Sequence, residues 1–200
     1  TFSVEVLPEI DSTNTELMRR ARAGQLDPVL LVAERQTAGR GRLGRDWSSA
    51  SAGDELPAGL TFSLGLPLAP VDWSGLSLAV GLSVVESLHP ALQLKWPNDV
   101  WLQDRKLAGI LIETASVGEQ RYAVIGVGIN IVAPPAQDLR TLPAGLREVL
   151  PEIDAPAALT RVAAPLVRAV RQFEASGFGP LRQAFHARDR LYGHEVVCSD

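Results

Sequence analysis

Three arginines interleave three glycines in the stretch QTAGRGRLGRDW, residues 36–47. Glycine lets the backbone adopt positive φ and approach a ligand closely, and successive N–H groups in such a turn form a nest for an anion. Arg40, Arg42 and Arg45 add planar guanidinium forks that hold a phosphate or carboxylate through paired hydrogen bonds. Trp47 offers a flat face on which an adenine can stack. Together these groups suit the handling of a phosphorylated, negatively charged ligand. Three unpaired cations this close repel one another, so the loop is expected to be mobile until an anion arrives. The bland alternative is a solvated basic turn with a structural tryptophan.

Other stretches place polar groups where chemistry could use them. In PEIDSTNTELMRRARAG, Thr13 with Glu16 three residues on reads as a capping box, so a helix is expected from about 14 to 23, ended by Gly24. Ser12, Thr13 and Asn14 then stand at a helix N-terminus, where free N–H groups and the dipole favour polar or anionic ligand groups; simple capping is the competing reading. Asn98 and Asp99 fall in the turn of KWPNDV, and Lys106 opens the strand KLAGILIET. Period-two counting puts Lys106 on one face with Ala108, Ile110 and Ile112, where it either snorkels to solvent or points into a cleft toward a carboxylate. Asn130 is the polar side chain in the second half of RYAVIGVGINIV, after Gly126 and Gly128.

The spacing Gly39-x-Gly41-x-x-Gly44 also satisfies the dinucleotide pattern. That fingerprint works only when its glycines open a helix whose N-terminus receives the pyrophosphate. Here a strand, Leu60–Leu68, comes first, and the next good helix waits until about Trp73–His89. The loop is therefore a different phosphate device.

The elements that must hold these groups follow from the hydrophobic pattern. Pro28–Gln36 carries a short, continuous β-branched and leucine run, read as a strand buried on both faces. Leu92–Trp96, Val100–Leu102 and KLAGILIET form a hairpin about the turn QDR, and a long helix runs from Asp154–Pro156 to Gly177, followed by a shorter one in GPLRQAFHARD. A new strand begins in LYGHEVVCSD. His89, His186 and His194 lie outside these motifs and are read as structural. With 200 residues, 46% hydrophobic, 21% charged and a formal net charge of -4, the chain reads as one globular domain without the broad basic surface that duplex DNA requires. A lone cysteine, Cys198, rules out an internal disulfide framework and suits a reducing cytosol. No apolar run is long enough to span a membrane, and no metal-ligand cluster is evident. The chain opens on Thr1, which leaves room for residues upstream.

Taken in order, STN (12–14), QTAGRGRLGRDW (36–47), KWPNDV (95–100), KLAGILIE (106–113) and IGVGIN (125–130) resemble the catalytic domain of biotin protein ligases over roughly residues 7 to 195. The resemblance implies an α/β (α+β) fold of the class II synthetase-like type, a mixed, largely antiparallel sheet flanked by helices, with ligands on the face opposite the long helices. It implies an ATP- and magnesium-dependent enzyme that activates biotin as biotinyl-5′-AMP and passes it to a lysine of a biotin carboxyl carrier protein, in the cytoplasm. On this likeness Ser12, Thr13, Asn14 and Gln36 would surround biotin, and Gly39, Arg40, Gly41 and Arg42 would close over it. Arg40, Arg42, Arg45, Trp47, Asn98 and Asn130 would serve ATP, while Lys106, Arg42 and Asp99 would act in catalysis. Residues 1–190 would form the catalytic domain, and 191–200 would begin a small C-terminal β-domain, truncated or absent. No DNA binding is expected of this chain; a homodimer is left open. The chain departs from the family's pattern in a longer SSASAGDELPAG segment and in Gly59, where an asparagine is usual. The alternatives are a lipoate or octanoate ligase or transferase of the same fold, or a non-catalytic biotin-binding module.

Overall fold

A strand with no polar break must bury both faces, and β2 (Val29–Gln36) does so through its first five residues. Leu30 and Val32 point into one apolar cluster, Val29 and Leu31 into another on the opposite side of the sheet. The computed structural model describes residues 2–47, 58–135 and 141–195. Its other strands are β1 (Ser3–Ile10), β3 (Gly59–Pro67), β4 (Gln93–Lys95), β5 (Asp99–Leu102), β6 (Arg105–Val117) and β7 (Gln120–Asn130). They form one seven-stranded sheet in the order β1-β2-β3-β7-β6-β5-β4. The β1–β2 pair is parallel and the rest antiparallel, so the mixed, largely antiparallel architecture expected from the sequence is the one observed.

The sheet sorts its helices by face. Helices α2 (Leu76–Leu88) and α3 (Ala155–Ser176) cover one side, sealing the larger core with Ile125, Val127 and Ile129 of β7. The α3 helix begins and ends where its signals stand: Asp154 accepts from the Ala157 N–H at 2.7 Å, and Gly177 leaves the helix at φ 65°. On the other side, α1 (Thr13–Arg22) packs Leu17, Met18 and Ala21 on Tyr122 and Val124. That small core covers only part of the second face, and the uncovered part is the cleft described below. Two 3-10 turns and the short helix α4 (Arg182–His186) complete the region after α3 and before it.

Several expectations need correction. The α1 N-cap is Ser12, whose hydroxyl accepts from the Thr15 N–H, rather than Thr13; Glu16 instead pairs with Arg19 and Arg20. The edge strand β1 is an addition to the sequence reading: its alternating valines and glutamates are a strand pattern, which Pro8 interrupts. Asp99 opens β5 instead of closing the turn before it, and β6 starts one residue early, at Arg105. Residues 191–194 form a turn, and most of the strand expected in 191–200, with Cys198, lies outside the described residues, as does most of the 48–59 segment.

Phe173 is fully buried in the core beneath α3. Phe173→Ala should cost about 3–5 kcal/mol in urea unfolding with an unchanged slope, whereas the exposed Val71→Ala should shift the midpoint little. Burial pushes the Tyr122 phenol up to about 12. Its folded pKa is thus raised, so its contribution to stability is complete below the unfolded value, about pH 10, and is lost as pH rises toward 12. Tyr122→Phe should flatten that alkaline loss in a denaturation series.

Candidate active site

Three glycines leave the middle of the sheet bare on the α1 side. Gly109 of β6 pairs with Gly128 of β7, and Gly126 lies beside Leu111 and Ser63. A Cβ on Gly126 would stand 2.2 Å from Asn14 Oδ1, and one on Gly128 would stand 2.3 Å from Trp47 Cε2. Asn14 and Trp47 therefore rest directly on backbone. Around this floor opens a cleft of about 770 Å³ that reaches from Ser12 to Asn130 and Pro143. It lies on the face opposite α2 and α3.

One end of the cleft is the start of α1. Ser12, Thr13 and Asn14 are all buried. Gln36, at the end of β2, accepts from the Thr13 N–H at 2.8 Å and from the Thr13 hydroxyl at 3.1 Å. The Ser63 hydroxyl lies 2.7 Å from Thr13 Oγ1 and 2.6 Å from Asn14 Oδ1. It has one proton for two oxygens, so the cluster is rich in acceptors. Asn14 Nδ2 donates to the Leu111 carbonyl at 3.3 Å and to Glu113 Oε2 at 2.9 Å.

The other end holds the charges. Trp101 pairs with Lys106 but Val100 pairs with Ala108, so a bulge at Leu107 interrupts the alternation. It turns Lys106 away from Ala108 and Ile110 onto the face of Gly109, correcting the period-two expectation. Lys106 Nζ meets Asp99 Oδ1 at 2.8 Å, and its ammonium stands 6.0 Å from the Trp47 ring centre. The main chain of Lys106 is held on both sides, its N–H by the Leu142 carbonyl and its carbonyl by the Ala144 N–H, each at 2.8 Å. Asn130 Nδ2 donates to the Ala144 carbonyl at 3.1 Å and, at 3.4 Å, to that of Lys106. Asn98 ties to Ile110 through both its side chain and its carbonyl, and accepts from Arg42 Nη1 at 3.3 Å.

The glycine–arginine loop bridges the two ends as a small hairpin, with Gly41 N–H on the Arg45 carbonyl at 2.7 Å and Trp47 N–H on the Gly39 carbonyl at 2.9 Å. Only a 3-10 turn, Arg42–Gly44, follows the first glycines, which agrees with the rejection of a dinucleotide site. The expectation of three unpaired cations is corrected: Arg40 meets Glu113 Oε2 at 2.6 Å, and Arg42 leans on Asn98. Arg45 lines the cleft.

The signature of the biotin/lipoate A/B protein ligase family matches residues 6–130. The chain belongs to that family. Over 145 residues it is 41% identical to the biotin–[acetyl-CoA-carboxylase] ligase of Mycobacterium tuberculosis, a match covering 67% of this chain and 51% of that protein. The chain thus spans about half the length of that relative. It is 32% identical over 208 residues to the Paracoccus denitrificans enzyme of the same name, covering 96% of this chain and 83% of that one. The Aquifex aeolicus biotin protein ligase, solved in complex with biotin and ATP, superposes with a TM-score of 0.73 at 30% identity, covering 94% of this chain and 78% of that one.

Within this member of the biotin/lipoate ligase family, every site residue expected from the sequence lines one cleft, save Gly39, buried in the loop's hairpin beside Trp47. None of His89, His186 and His194 lines it: His89 caps a turn at Ala91, His186 stacks on Tyr192, and His194 meets Arg190. Sequence reasoning missed Ser63 and Glu113. The available signals were a hydroxyl inside the apolar run LTFSLGL and a carboxylate closing KLAGILIE. Gly128→Ala should expel Trp47 from the floor. The Trp47 part of the fluorescence, isolated by comparison with Trp47→Phe, should become more accessible to acrylamide while the far-ultraviolet dichroism is unchanged.

Proposed function

We propose that this chain is the catalytic unit of a biotin protein ligase, with residues 1–190 as its catalytic domain. It joins biotin and ATP into biotinyl-5′-AMP and then acylates one lysine of a biotin carboxyl carrier protein. The observation that carries this reading is the acceptor-rich cluster at the start of α1 facing a cationic rim across one cleft. The ureido ring of biotin brings N–H donors, which Asn14, Ser63 and Thr13 are short of. A lipoyl or octanoyl chain carries none, so the same cluster would leave those acceptors unpaired. That the Aquifex aeolicus relative is solved with biotin and ATP together supports the reading.

In the first half-reaction a biotin carboxylate oxygen bonds to the α-phosphorus as the bond to the β-phosphate bridging oxygen breaks and pyrophosphate departs. Two anions are brought together, so Lys106, Arg40 and Arg42 are assigned to neutralise the charge that builds up. Trp47, Arg45, Asn98 and Asn130 are assigned to the nucleotide side. Among the described residues no three His, Cys, Asp or Glu gather as a metal cage. Magnesium is accordingly assigned to the nucleotide as MgATP, the form in which this hard cation keeps its waters and the phosphates. In the second half-reaction the carrier's lysine amine attacks the acyl carbon, gives up a proton, and AMP leaves. Asp99, beside Lys106, is assigned to aim that amine. We assign the reaction to the cytoplasm, a reading that the demand for ATP and a carrier supports.

Incubation with MgATP and labelled biotin, lipoate or octanoate tests the assignment: biotinyl-adenylate and label on a carrier lysine are expected, and adenylate from lipoate alone would overturn it. Lys106→Ala should lower adenylate formation at least about a hundredfold with the fold intact. Arg42→Gly should hasten adenylate release, read as a shorter residence time of labelled adenylate on the protein.

A further inference from the structure

We infer that Glu113 is a positioning residue that couples occupancy of the biotin end of the cleft to closure of the glycine–arginine loop. The inference rests on the reading of the cleft as a biotin site, and gives a role to Glu113, the residue that closes KLAGILIE and to which the sequence reading assigned none. A single oxygen, Glu113 Oε2, accepts from Asn14 Nδ2 at 2.9 Å and from Arg40 Nη2 at 2.6 Å.

The chemistry of that oxygen fixes two things at once. A carboxylate only accepts, and so does the Leu111 carbonyl beside it. Both demand the NH2 end of Asn14, so Asn14 Oδ1 is forced toward Ser63. Gly126 holds the amide flat against β7, where a Cβ would leave no room. Glu113 therefore decides which end of Asn14 a ligand meets. The same oxygen anchors Arg40, the first arginine of the loop. Whatever steadies Asn14 steadies the carboxylate that Arg40 grips, and by linkage a closed loop favours the ligand-accepting orientation of Asn14. The side chains of Glu113 and Arg40 are 26% and 44% exposed, so as an isolated surface pair they would add little. The coupling, rather than the pair's own strength, is what the arrangement supplies.

Glu113→Gln tests this, because an amide can present either its oxygen or its nitrogen and no longer dictates how Asn14 turns. Biotin affinity is measured by calorimetry on the whole chain. Loop closure is followed by the rate of tryptic cleavage after Arg40, Arg42 and Arg45, with fragments identified by mass. In the wild type, biotin should slow those cuts. In Glu113→Gln the biotin Kd should rise about tenfold, the ligand-free loop should be cut about threefold faster, and biotin should no longer protect it. Glu113→Ala should show the same pattern, and if it fails to fold by circular dichroism the glutamine variant decides alone. Biotin protection of the loop undiminished in Glu113→Gln would overturn the inference and leave the biotin reading standing, even if thermal stability fell. A wild-type chain that binds no biotin would overturn both.

Discussion

The cleft depends on side chains that are absent. A sheet strand must project something from each face at every second residue, and the projections normally fill the space above it. At Gly109, Gly126 and Gly128 nothing projects, so the backbone of β6 and β7 becomes a floor on which an asparagine and a tryptophan can lie flat. The opposite face of the same strands is as apolar as any core strand, with Ile110, Ile125, Val127 and Ile129 packed toward α2 and α3. Rigidity on one side thus supports openness on the other. The polar groups that line the opening gain fixed positions without each needing its own scaffold.

Charge is arranged around that floor as pairs rather than as loose cations. Lys106 meets Asp99, Arg40 meets Glu113, and Arg42 meets an asparagine oxygen. The groups are partly exposed, and each partner lowers the repulsion that an all-cationic rim would suffer. An incoming anion can then exchange one partner for another instead of entering an unbalanced field. The bulge at Leu107 is what brings Lys106 into this arrangement at all, since regular pleating would have turned its side chain into the larger core.

Most of the fold was legible in the sequence because the strands and helices are strongly patterned. The continuous run Val29–Ala33, the Asp154 cap and the Gly177 stop each follow from local chemistry. The β1 strand went unread although Val4, Val6 and Ile10 alternate with Ser3, Glu5 and Glu9, because Pro8 interrupts that pattern and argues against a strand. The cleft residues were legible as types, since arginines among glycines and an isolated lysine announce an anion. Their partners were not. Glu113 and Ser63 act through contacts spanning 99 and 49 positions of sequence, and the bulge that reorients Lys106 leaves no mark in a period-two count. The positive φ of Gln103 and Asp104 at the hairpin turn is equally silent in sequence, as neither is the glycine such a turn favours.

Residues 142–144 run alongside Lys106 like a short extra strand, holding its main chain from both directions. Asn130 and the Arg105–Glu148 pair fasten that strap to the sheet. The reach of the ammonium is therefore set by a connection that is partly inside and partly outside, with Leu142 exposed, Pro143 lining the cleft and Ala144 buried in the core. Only at Leu142, whose side chain faces solvent, can that connection change without altering a group inside the cleft, while its main chain still fixes where the ammonium stands.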